Sequence, residues 1–82
     1  TKMIRTCKQL ENKLNTINNT TDIKIKKDGS MYIVVMGGYE SDIWGYCLKD
    51  LVNELKGLET IKMVYRSWTM QGMKVKTIKG IK

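Results

Sequence analysis

Histidine, the commonest general base and the usual partner of a nucleophilic serine or cysteine, is absent from this chain. What remains for chemistry is carboxylates and two cysteines. Asp42, Asp50, Glu54 and Glu59 fall around one helical pattern, and Asp50 and Glu54 stand one helical turn apart. No apolar residue in that pattern would bury them, so they read as a solvated helix face rather than an acid and base pair. Cys7 lies within one apolar stripe and Cys47 beside another, where small buried hydrophobes belong, whereas a reactive thiolate wants exposure and a neighbouring cation. Both are expected to fill core. Two cysteines make no disulfide framework, and zinc would lack its four ligands. The chain reads as non-catalytic, with no metal and no cofactor.

A second candidate is the run Val34 to Trp44, VVMGGYESDIW, which has the order strand, glycine pair, helix start found in phosphate cradles. A cradle aims backbone N–H groups and a positive helix end at an anion. Glu40 and Asp42 at this junction would repel one, and neither the Walker spacing nor the three-glycine dinucleotide pattern is present. The two acids suit helix capping instead, and Gly37-Gly38 the reversal from sheet to helix.

The elements that must position these residues follow from periodicity. Met3, Cys7, Leu10, Leu14 and Ile17 fall on one helical stripe, which Asn18 to Asp22 ends. Ile23 to Lys26 alternates, Asp28-Gly29 signals a tight turn, and Met31 to Met36 continues as a strand. With Asp28 and Gly29 in the loop, Ile25 faces Tyr32 and Ile23 faces Val34; a bulged loop of one more residue would move Met31, Ile33 and Val35 to the isoleucine face. Lys24 and Lys26 point away from the isoleucines either way. A second helix is expected over Asp42 to Lys56 on the stripe Trp44, Leu48, Leu51 and Leu55, closed by Gly57. Thr60 to Trp68 and Lys74 to Lys79 alternate around a turn at residues 70–73, with Ile61, Met63 and Tyr65 or Val64, Trp68 and Val75 facing inward. The expected fold is one small α+β domain spanning residues 1–82, a two-layer sandwich of two amphipathic helices on one face of a four-stranded, largely antiparallel sheet in the order α-β-β-α-β-β.

Composition narrows the class. Apolar residues make up 41% of the 82 and charged ones 28%, the mix of a folded domain, and no apolar run has the length of a membrane span. Alanine, proline and phenylalanine are missing while lysine, isoleucine and asparagine abound, a bias that suits an AT-rich genome such as a virus or mobile element. An intracellular, cytoplasmic protein is the expectation.

Charge is the most informative feature. Fifteen Lys and Arg face eight Asp and Glu, a net +7, and after Glu59 there are six cations and no acid. Alternation would place Lys24 and Lys26 on one outward face with Lys74 and Lys76. That face, extended by Lys62, Arg66 and Lys79 and interleaved with aromatics, would neutralise phosphates of DNA or RNA and stack bases. Tyr65, Trp68, Met70 and Met73 are the expected stacking or interface residues. Lysine outnumbers arginine, the usual base reader, so binding is expected to be phosphate-led with little sequence specificity. The alternative is a viral or mobile-element module, an inhibitor or adaptor, that docks on an acidic host or defence protein through Trp68, Met70, Met73 and Tyr46. Self-association through strand edges, giving a homodimer in place of a monomer, is a third possibility.

Overall fold

The computed structural model describes residues 4–65 and 74–81. The first helix, α1 (Cys7–Asn18), opens on a capping box that the apolar stripe does not reveal: the Gln9 N–H donates to Thr6 Oγ1 at 3.1 Å and the Thr6 N–H donates to Gln9 Oε1 at 3.1 Å. It ends where Asn19 turns left-handed at φ 54°. Leu10 and Leu14, on the predicted stripe, are fully buried. Met3 lies outside the described residues.

Five strands follow where four were expected: β1 (Ile23–Asp28), β2 (Met31–Met36), β3 (Tyr39–Ser41), β4 (Thr60–Tyr65) and β5 (Val75–Lys79). They form one antiparallel meander in chain order, and α2 (Leu48–Lys56) is inserted between β3 and β4. The α+β class and the antiparallel pairing stand. The extra strand arises because Gly37-Gly38 turns the chain back onto β2, with Met36 opposite Tyr39. Gly37, at φ 61°, takes the first central position of a two-residue hairpin turn, where positive φ excludes most side chains. Gly29 does the same at φ 64° between β1 and β2. The first loop is therefore Gly29-Ser30 rather than Asp28-Gly29, and the pairing slides to Ile25 opposite Val34 and Ile23 opposite Met36. The slide spans two residues, so Tyr32, Val34 and Met36 keep the isoleucine face and Lys24 and Lys26 still point away.

α2 begins six residues later than its stripe suggested. The reason lies on the free side of β2. Gly45 pairs with Tyr32 through two backbone hydrogen bonds of 2.7 and 3.1 Å, which ties this segment to the sheet and keeps it out of the helix. A Cβ on Gly45 would come within 2.4 Å of the Leu51 backbone nitrogen, which means that α2 rests directly on this segment. Trp44 consequently leaves the helix stripe and is 42% exposed. Glu40 sits in β3 and Asp42 beyond it, so neither caps α2. Cys47 becomes the N-cap and is exposed, contrary to the core position expected of it, while Cys7 is half-buried at the start of α1.

Between Ser41 and Gly45 the chain bulges away from β2, and Ser41 fills the gap. Its buried hydroxyl accepts from the Val34 N–H at 3.0 Å and donates to the Ile43 carbonyl at 2.8 Å. Sheet residues on the helix side, Ile23, Val34, Ile61, Met63 and Ile78, form one core with Leu10 and Leu14 of α1 and Leu51, Val52 and Leu55 of α2. Of the two inward faces considered for the second hairpin, the one with Ile61 and Met63 is buried, and Val75 is 47% exposed.

Both edges of the sheet are bound by α1. The Asn15 side chain reaches Ile23 of β1 twice, accepting from its N–H at 2.9 Å and donating to its carbonyl at 3.1 Å. Glu11 accepts from the Ile25 N–H at 3.0 Å. Asn18 makes the same double contact with Lys79 of β5, accepting at 2.7 Å and donating at 3.0 Å. In a flat sheet, four inter-strand gaps of about 4.8 Å would hold the two edges about 19 Å apart. Asn15 and Asn18 are separated by only about 4.5 Å along the helix axis. The sheet is therefore curled, and α1 lies across the opening between its edges.

Asn15→Ala should leave two backbone groups of Ile23 unpaired and lower unfolding stability by about 1–3 kcal/mol, measured by urea denaturation, with Asn18→Ala, at a more exposed contact, at or below the low end. Ser41→Ala should cost about 1–3 kcal/mol, because it strands a buried N–H of β2.

Candidate nucleic-acid interface

Strand register decides which lysines can act together. On the outward face one cross-strand row reads Lys24, Val35, Glu40, Val64, Val75, and the next places Lys26 beside Ile33 and Lys62 beside Thr77. Lys79 lies opposite Thr60 on the same face, and Asp28 opposite Met31. This face carries Lys24, Lys26, Lys62 and Lys79, but Glu40 stands in the middle of it and apolar side chains separate the cations. Lys76 is opposite Met63, a core residue, and the Tyr65 N–H donates to the Lys74 carbonyl at 2.8 Å. Lys74 and Lys76 therefore belong to the helix-side face, contrary to the expectation that they accompany Lys24 and Lys26. Arg66, Trp68, Met70 and Met73 lie outside the described residues.

The inner face beyond the helices brings together a different set. Tyr39 is opposite Tyr65, and their rings meet edge to face with centroids 5.1 Å apart. Lys76 Nζ lies 5.1 Å from the Tyr39 ring centre, and Lys74 Nζ 5.9 Å from that of Tyr65. Tyr39 also packs on the edge of the core, which fixes its ring, while both lysines are exposed. A cation over a ring at an exposed site gains about 0.5–1 kcal/mol, little enough for the ammonium groups to exchange the ring for a phosphate. A similar pair, Lys27 over Tyr32 at 5.9 Å, stands apart on β1 and β2.

Gly38 completes the cluster. A Cβ there would come within 2.5 Å of the Tyr65 ring, so the ring lies directly on the turn backbone. Sequence reasoning named Tyr65 and the two lysines but missed Tyr39 and misread Gly38 as part of a helix entry. A glycine pair between β-prone residues is itself a hairpin signal, and it would have exposed both.

Tyr46 is 66% exposed, as an interface residue should be, but it lines a groove with Asp42, Asp50 and Glu54. Those surroundings do not suit an acidic partner. Among the described residues, no three His, Cys, Asp or Glu side chains are grouped so as to hold a metal ion. Among them too, no helix is long and apolar enough to cross a membrane. Comparison with protein-family models, with curated proteins and with solved structures gives no match to this chain.

Gly38→Ala should displace the Tyr65 ring and lower stability by about 1–3 kcal/mol, as overpacking does. The local readout is the Gly38 Hα signal of the native protein, displaced by the ring current and restored to its usual position in Tyr65→Leu.

Proposed function

We propose that the protein binds nucleic acid, through phosphates first and with little sequence specificity, using Tyr39, Tyr65, Lys74 and Lys76. The observation that carries this reading is the pairing of two edge-packed tyrosine rings with two exposed lysines, in a quartet that contains no carboxylate. The lysines supply mobile point charges for phosphates, and the rings supply flat surfaces for bases. A base reaches a ring only when it is free of its stack, so single strands suit the cluster better than duplexes. The net charge of +7 adds a long-range attraction that concentrates polyanions near the surface. Lys24, Lys26, Lys62 and Lys79 on the outward face contribute to that field rather than to a contact surface.

The test is fluorescence anisotropy with labelled single- and double-stranded DNA and RNA over a salt series. Affinity for single strands should fall linearly in log salt, with a slope of about −0.7 for each phosphate contacted. Lys74→Glu with Lys76→Glu should flatten that slope and abolish most binding, while Lys24→Glu with Lys26→Glu, an equal change in net charge, should act only weakly. Tyr39→Leu should weaken binding about 5- to 150-fold, the equivalent of about 1–3 kcal/mol of stacking. Equal losses in the two lysine pairs would reduce the effect to net charge, and an absence of binding at low salt would overturn the reading.

A further inference from the structure

The same molecule carries a surface of opposite character. Beside α2, the segment from Asp42 to Tyr46 and the α2 residues Asp50, Asn53 and Glu54 line an open groove of about 570 Å³. Trp44 and Tyr46 line it with their rings edge to face, centroids 4.8 Å apart. They are 42% and 66% exposed. Exposed Trp and Tyr side by side are the residue types that anchor protein interfaces. Among the described residues no lysine or arginine lines the groove, and three of the chain's eight acids do.

We infer that this groove docks a basic polypeptide segment, with an arginine or lysine side chain laid over the Trp44 and Tyr46 rings and its charge matched by Asp42, Asp50 and Glu54. The ring faces attract a cation through their quadrupoles, and the carboxylates complete the complementarity. The groove is built by the fold and is not an accident of a loop. Gly45 pairs with Tyr32 on one side and abuts the α2 backbone on the other, so the rings on either side of it have a rigid support. The groove shares no residue with the Tyr39, Tyr65, Lys74 and Lys76 cluster, and this inference stands or falls independently of nucleic-acid binding. A protein of net +7 repels polycations in general, which makes capture of one at this place a demanding signature.

The experiment titrates the protein with a short oligo-arginine peptide and, in parallel, an oligo-glutamate peptide. In Trp68→Phe protein, Trp44 is the sole tryptophan, and its fluorescence should change saturably with the arginine peptide alone. The indole N–H signal of Trp44 in the unaltered protein gives the same reading should that variant fail to fold. Tyr46→Ala should weaken affinity about fivefold, the loss of about 1 kcal/mol of cation–π attraction. Asp50→Asn with Glu54→Gln should weaken it by more, whereas Asp22→Asn with Asp28→Asn, an equal change of charge elsewhere, should leave it unchanged. No saturable response, an equal loss in the two acid pairs, or full affinity in Tyr46→Ala would overturn the inference.

Discussion

Two asparagine side chains on one helix hold the ends of the sheet. Asn15 and Asn18 each present an amide that matches the N–H and C=O of one backbone residue, Ile23 on β1 and Lys79 on β5. These are the groups that an edge strand otherwise offers to a neighbouring chain. Because both edges are engaged by residues within about one turn of α1, the sheet is drawn into a curve and its inner face becomes concave. A flat five-stranded sheet would need broad cover, and α2, nine residues or about 14 Å long, could not supply it. Curvature lets two short helices enclose a core that runs from Ile23 to Ile78 without a gap. A chain of this size buries only about 60% of its unfolded surface, so such economy of cover matters to whether it folds at all.

The curl also decides what is left over. At the end of the sheet formed by the β2–β3 turn and the start of β5, strand residues continue on the inner face past the leucines of the helices. Tyr39, Tyr65, Lys74 and Lys76 occupy that overhang. Tyr39 packs on the edge of the core, and neither ring can turn outward, because strand pleat fixes the face. They pack on one another and on the bare backbone of Gly38. The result is an aromatic surface with its cations attached, held by register and not by any dedicated loop.

Much of this was legible in the residues and some was not, for reasons that can be named. The Leu10 and Leu14 stripe of α1 and the alternation of β1 follow from spacing and emerge as read, while the turn was legible near Gly29 but lies one residue later than expected, at Gly29-Ser30. The β3 strand is three residues long and lacks the length that makes alternation visible, so its glycine turn was assigned to a helix entry. The start of α2 was misplaced because Trp44 has helical spacing with Leu48 and Leu51, while the tertiary demand of the Tyr32 backbone for a partner overrides it. Asn15 gave no signal, since a polar residue beside an apolar stripe looks like solvent-facing helix until the strand edges are in place, and Asn18 was read only as the start of the break that ends the helix, of which it is the last residue. For the lysines the decisive clue was parity. Lys76, and Lys74 just before β5, share even positions with Ile78, so burying Ile78 places them inward, whereas treating Val75 as the buried residue sends them out. One apolar residue on each side of a short strand leaves that choice to its partner, and Met63 makes it.

Register thus sorts charge as strictly as it sorts hydrophobes. The lysines do not form one basic face: in the sheet Lys24, Lys26, Lys62 and Lys79 lie on an outward face interrupted by Glu40, Lys74 and Lys76 lie with tyrosines on the inner face, Lys27 stands apart, and others lie on the helices. The acids are sorted too, since Asp42, Asp50 and Glu54 meet along α2, away from the overhang. Surfaces of opposite sign repel different competitors, so on the two proposals above a polyanion and a basic segment would be directed to different places. A molecule with uniform positive charge would bind every polyanion along its whole surface. It is the strand register, fixed by the burial of Ile61, Met63 and Ile78, that keeps Lys76 and the preceding Lys74 on the inner face and sends Lys79 to the outward one.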